Sequence, residues 1–445
     1  MAEDSKSVRR GVIGSIFFTI FIDLVGFSII FPLLPAILQW YLPQSAEGSL
    51  IGRIEAFLTN ISPASGSGSH GVITLVLFGG AIGSIFSILQ FISSPIWGRL
   101  SDRFGRRRIL LITTSCTCMG YVIWMFSGNI WMFILGRVAT GLMAGNISVA
   151  SAAVADITSN SKRTKGMAIV GIAFATGFMI GPAIGGVASM IDMSRFIVPG
   201  AIVGINPFSG AALVSIILSL INLVWIALRF PETLRPELRA RHAISANPMA
   251  NVRMDPGPAR QVMLVNFAFL VSFSGMEFTL TFLALERLNF GPTDNIAIFV
   301  FGGMVMTLVQ GVFTHRRSER MSEKTMACIG IAFGLAGMAT LAMANGKVLF
   351  FSGLFLKASG IALIAPTLSS LISLYTSPNR QGSVMGSFRA AGSLARAIGP
   401  VFAALLYWAI GSRLTYLAGA VVLMGPLYMC YRLPKPDKTA KPLQF

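Results

Sequence analysis

The sequence predicts an all-α membrane protein: twelve transmembrane helices in two pseudo-symmetric six-helix bundles, with both termini in the cytoplasm. Three observations lead there. The first is composition: of 445 residues, 54% are hydrophobic and only 12% are charged, with a mean hydropathy of +0.73, whereas soluble domains are about a quarter charged. The second is a series of apolar runs, each near or above the ~20 residues that cross a bilayer. The third is the uneven placement of Lys and Arg around those runs. The same composition excludes a disordered chain, which needs low hydrophobicity and high charge.

The runs cover 11–39, 71–93, 109–127, 130–157, 166–190, 211–229, 261–286, 296–314, 326–344, 348–375, 384–410 and 414–432. All must be helices, because lipid offers the backbone no hydrogen-bond partner. The first run follows a short polar stretch and holds Asp23, Pro32 and Pro35, so it reads as a span and not as a cleavable signal. Residues 230–260 carry Arg and Pro and divide the spans six and six. They are the expected linker between an N-terminal bundle (1–229) and a C-terminal bundle with a short basic tail (261–445). The outer stretch 40–70 contains a glycosylation sequon, Asn60-Ile61-Ser62, with Pro63 directly after it.

Basic residues orient membrane proteins by their excess on the cytoplasmic side. Of the 35 Lys and Arg, four fall inside spans and five in outer loops (Arg53, Arg195, Arg287, Lys347, Arg413), which leaves 26 on the cytoplasmic side. The 17 acids divide as ten cytoplasmic, five outer and two within spans. A net charge of +18 could indicate nucleic acid, an anionic surface or acidic substrates. Here most of it is orientation, and the basic residues lack the clustering or interleaved aromatics of a nucleic-acid site.

The halves repeat. Arg137, Gly141 and Ser159 are echoed by Lys357, Gly360 and Ser377 at offsets of 218 to 220, and Gly181-Pro182 by Gly399-Pro400 at 218. Parallel repeats of this kind predict a substrate site near the bilayer midplane and alternating access. Charges within spans are costly and mark function by default. These are Asp23 and Glu277 on the acidic side, and Arg137, Lys357, Arg389 and Arg396 on the basic side. A carboxyl that exchanges a cation for a proton is a suitable coupling device, so Asp23 and Glu277 are the candidates for proton coupling; a static salt bridge is the alternative. Arg137, Arg396 and Lys357 are the candidates for substrate contact. The four cysteines lie in apolar runs without metal-ligand spacing and the three histidines are scattered, so no metal, cofactor or enzymatic chemistry is expected.

The residues also carry a resemblance. Gly98-Arg-Leu-Ser-Asp-Arg-Phe-Gly-Arg-Arg-Arg108 resembles the signature loop of the major facilitator superfamily. The resemblance implies a gating cluster of Gly98, Asp102, Arg103, Gly105 and Arg106, with Arg389 as a further member and Asp102 capping the start of span 11. Gly177, Gly181, Pro182 and Gly185 resemble the antiporter motif of its drug:proton antiporter group. The stretches around Asp23 and Arg137 resemble motifs of the same group. Phe78–Gln90, Ala153–Thr158, Gly166–Pro182, Pro231–Leu234, Phe273–Phe282 and Gln381–Pro400 resemble an animal branch associated with organic anion efflux. The loop His315–Lys324 lacks the Gly-Asp-Arg form of the first-half motif.

The function expected from these features is proton-coupled efflux of amphipathic organic anions, with protons and the bilayer as partners and the monomer as the working unit. Four buried bases against two buried acids leave +2 inside the membrane, which suits an anionic ligand. A cationic or neutral drug antiporter, tetracycline-like, is the second expectation, and a non-transporting receptor or scaffold the third. The sequence leaves open which membrane holds it, plasma membrane or endomembrane.

Overall fold

The computed structural model describes residues 2–44, 52–53, 70–157, 163–198, 200–234, 257–311, 321–376 and 381–434. The Asn60 sequon, most of the 230–260 linker and most of the His315–Lys324 loop lie outside the described residues, as does the side chain of Arg389. The helices are α1 (Ala2–Ser28), α2 (Leu34–Tyr41), α3 (His70–Phe104), α4 (Arg106–Met125), α5 (Ile130–Met143), α6 (Asn146–Ile157), α7 (Arg163–Ala188), α8 (Ser209–Arg229), α9 (Pro258–Leu288), α10 (Asn295–Val309), α11 (Glu323–Ala342), α12 (Lys347–Leu374) and α13 (Gln381–Arg432). Among the described residues there is no strand, only an isolated bridge between Ser127 and Val203. Among the described residues, eight helical segments are long and apolar enough to cross a membrane.

The expected spans and the observed helices differ where the backbone is interrupted. The first run is two helices, because Pro32 and Pro35 cannot both continue the ladder. Residues 29–33 form short turns, and Pro35 sits in the first turn of α2, where its missing N–H costs little. The 130–157 run breaks at Ala144-Gly145 into α5 and α6. Side chains of α3 capture the carbonyls this exposes: Trp97 donates to Leu142 O (2.7 Å), Ser93 to Gly141 O (3.3 Å) and Gln90 to Ala144 O (3.5 Å). The signature segment is mostly helix, with Gly98 inside α3 and only Gly105 between α3 and α4. At φ 102°, Gly105 holds a backbone conformation that favours glycine. The last two runs form the single helix α13, kinked at Gly411 (φ 77°).

The residues divide into two compact units: Met1–Asn60, Ala81–Pro248 and Phe290–Val300 in one, Ile61–Gly80, Met249–Asn289 and Phe301–Phe445 in the other. In the first, Ile16, Ile20 and Leu24 of α1 pack with Val149 and Ala153 of α6, Val170 of α7 and Ile226 of α8. In the second, α9 lies along α13 and α11 along α12.

Lipid is as apolar as a leucine, so close packing and not water exclusion must hold such helices together. The seam between α1 and α7 shows how. A Cβ at Gly177 would lie 2.8 Å from Leu24 Cβ, one at Gly181 2.6 Å from Val25 O, and one at Gly185 2.9 Å from Ile29 C. Pro182 sits inside α7, which continues through it. The repeat-related Gly399 of α13 does the same against α9, at 2.6 Å from Val271 O. Gly181→Val is expected to lower stability by about 2 kcal/mol or more, seen as a fall in the melting temperature of the detergent-solubilised protein. Gly14→Ala, with nothing within 4 Å, is expected to raise it slightly through helix propensity.

Candidate transport site and gate cluster

In the first unit, α1 brings Asp23 to a small cleft lined also by Phe27, Phe86, Gln90, Tyr121 and Asn146. Asn146, the first residue after the α5–α6 break, donates its Nδ2 to Asp23 Oδ1 at 2.8 Å. Its own carbonyl accepts the Thr113 hydroxyl of α4, which fixes the amide with its donor toward the carboxylate. Arg137, on α5, is 6% exposed. Its guanidinium carbon lies 4.7 Å from the Phe86 ring centre and 5.6 Å from that of Phe27, two rings stacked at 4.4 Å. Phe178 extends this aromatic group beside Phe27 and Phe31. Among the described residues no carboxylate lies within ion-pairing distance of Arg137. Aromatic faces attract a desolvated cation by about 2 kcal/mol but leave its charge unneutralised. Tyr121 lies within electrostatic reach of both Asp23 and Arg137.

In the second unit the structure joins two residues that the sequence left apart. Lys357 of α12, 1% exposed, forms an ion pair through Nζ with Glu277 Oε2 of α9. The ammonium also lies 4.6 Å from the Phe273 ring centre. Arg396 of α13 donates from Nη2 to Ser393 Oγ at 3.3 Å. Glu286, expected in an outer loop, has a side chain only 4% exposed at the end of α9. It accepts hydrogen bonds from Tyr407 and from Ser412 Oγ (2.7 Å).

The signature residues form a charge cluster around Arg106. Its Nη1 meets Asp102 Oδ1 at 2.5 Å, its Nε meets Asp156 Oδ2 of α6 at 2.9 Å, and Nη1 also donates to Ser101 Oγ at 2.6 Å. Glu232, just past α8, accepts the backbone N–H groups of Arg106 (2.9 Å) and Arg107 (3.3 Å). That supplies a carboxylate at the start of α4, where unpaired amides and the helix dipole favour negative charge. Thr233 donates to Asp156 Oδ2 at 3.2 Å. Arg103 instead lies over the Phe104 ring, 5.3 Å from its centre. Asp102, expected to cap span 11, pairs here with Arg106 one turn along. Sequence reasoning had counted Asp156 and Glu232 only as cytoplasmic acids; their place in two of the resembling stretches was the signal that could have found them.

A helical membrane protein with broken spans, buried charges and this cluster is a secondary transporter. The chain belongs to the Major Facilitator Superfamily, whose family profile matches residues 16–400 and 318–444; it is a multi-pass membrane protein. It is similar to major facilitator superfamily domain-containing protein 10 of Bos taurus, 34% identical over 97% of this chain and 94% of the relative. It is also similar to the class C tetracycline resistance protein of Escherichia coli, 26% identical over 91% of this chain and 93% of that one. Among solved structures, the human organic anion transporter MFSD10 (TETRAN) matches with a TM-score of 0.71 and 29% identity, over 95% of this chain and 99% of that one. A bacterial homologue of the lysosomal transporter Spinster, at 10% identity and a TM-score of 0.66 over 95% and 96% of the two chains, shares the fold.

Removing Arg106 would strand two carboxylates. Arg106→Ala is expected to cost about 3 kcal/mol, read as a lower melting temperature, and Arg106→Lys to recover only part of it, because one ammonium cannot reproduce the guanidinium fork.

Proposed function

We propose that this chain is a proton-coupled, alternating-access transporter of amphipathic organic anions, with twelve membrane crossings and both termini in the cytoplasm. Treating the helix divided at Gly411 as two, and adding the three shorter apolar helices Val12–Ser28, Thr176–Ala188 and Asn295–Val309 to the eight long segments, gives twelve. The observation that carries the substrate class is Arg137: a buried guanidinium held against aromatic rings, beside a cleft, with no described carboxylate on it. Such a cation favours an anion with an apolar, aromatic body. Arg137, Lys357 and Arg396 contact the anion; Asp23 and Glu277 carry the proton. The cluster of Gly98, Asp102, Arg103, Gly105 and Arg106, with Arg389, gates the cytoplasmic side, and the monomer is the working unit. The solved relative described as an organic anion transporter supports this reading.

The second reading, a tetracycline-like drug antiporter, draws on the tetracycline resistance relatives. The two separate in liposomes under an imposed pH step. Naphthalene-2-sulfonate flux is expected in the wild type and to fall at least tenfold (~1.4 kcal/mol) in Arg137→Ala. Flux of a quaternary ammonium drug without any sulfonate flux would establish the second reading instead.

A further inference from the structure

The ion pair of Glu277 and Lys357 fixes the sign of the coupling. Lys357 already carries a carboxylate, so an anion arriving there must take the place of Glu277. A carboxylate displaced within a buried site is costly unless it takes up a proton. The groups that face Glu277 are Lys357 on α12 and Tyr416 on α13. α11 meets α9 through Met338 against Ser272 and brings no charge. In the first unit, Asp23 and Arg137 are not ion-paired but share Tyr121 as a neighbour, with Cys118 behind it. Among the described residues, α6 offers Asp23 the neutral Asn146, α3 offers Phe86 and Gln90, and α7 and α8 meet α1 through Gly177, Gly181, Ser215 and Asn222. Asp23 is thus hydrogen-bonded to a neutral amide, and among the described residues no ion pair joins it to Arg137.

In the second unit, adding a proton to Glu277 therefore uncovers the positive charge of Lys357. We propose that the organic anion and the proton bind together, the proton on Glu277 and the anion on Lys357, so that the protein carries them in the same direction. This rests on the reading that Glu277 carries the proton and Lys357 holds the anion. It departs from the efflux expected from the sequence in exchange for entering protons. An exchanger needs the proton to expel its substrate. A proton competes with a cation for a carboxylate, but it can only strengthen the hold on an anion. By linkage, the anion strengthens proton binding by the same factor.

The test is calorimetric binding of naphthalene-2-sulfonate to the full-length protein in detergent, at acidic and at neutral pH, in buffers of different ionisation enthalpy. The sulfonate stays ionised, so pH acts on the protein alone. Affinity is expected to be about tenfold higher at acidic pH, with net proton uptake on binding. Glu277→Gln, which mimics the protonated carboxyl, is expected to bind tightly at both pH values and to take up no proton. Weaker binding at acidic pH, or proton release, overturns the proposal. Equal binding at both pH values without proton uptake overturns it too but leaves the anion reading standing. Binding of a quaternary ammonium drug with no sulfonate binding at either pH removes the anion reading and this inference together.

Discussion

Every amide of a lipid-embedded helix has to find its partner inside the protein, and this constraint organises the molecule. Where the helices run unbroken, the ladder satisfies it. Where they break, side chains must. Ser93, Trp97 and Gln90 take up the carbonyls at the α5–α6 break, and Asn295 donates to Pro32 O at the break between α1 and α2 (2.9 Å). Irregular backbone at membrane depth is tolerated where protein buries it or where it lines a cavity. Ala144 and Asn146 both line the Asp23 cleft. The break therefore provides a polar wall for the cleft as well as a departure from the helix.

The helices around these breaks have little to bring them together except fit. Glycines on α7 let the backbone of α1 approach, and the related Gly399 does so for α13 and α9. At these glycines the nearest neighbours are backbone and uncharged side chains, which leaves the ionisable side chains to a few positions with specific neighbours. Arg137 rests on rings, Lys357 on Glu277, Asp23 on an amide, and Arg106 on two carboxylates. These four settings differ in kind. Of the four, the Arg106 cluster supplies charged hydrogen bonds on several sides, while among the described residues Arg137 and Asp23 rest on neutral neighbours.

The amino-acid sequence made the membrane architecture legible because composition and run length report directly on lipid exposure. The glycine motifs were legible because a spacing of four puts Gly177, Gly181 and Gly185 on one helix face. Pairings between distant helices were not. Lys357 and Glu277 lie eighty residues apart, and their meeting depends on the rotation of α9 against α12, which a uniformly apolar helix does not encode. Glu286 sat at the predicted edge of a span, where a carboxylate reads as solvated; Tyr407 and Ser412 reach it from beyond the next three helices in sequence. Interruptions were half legible. Pro32 and Pro35 announce theirs, but Ala144-Gly145 does not, since its support comes from α3.

The capping of α4 by Glu232 has a consequence for the birth of the chain. The acceptor for the Arg106 amide is 126 residues downstream of it, just after α8, and Asp156 lies between them in sequence. As the polypeptide leaves the ribosome, α4 enters the membrane with its first amides unclaimed and its arginine short of partners. Asp156 arrives with α6, and Glu232 only after α8 has been made. The first half thus completes this cluster only once its last helix has been made. Nascent chains shorter than this would expose an unfinished polar end, and those longer would not, so the cluster marks the completion of one half of the molecule during synthesis.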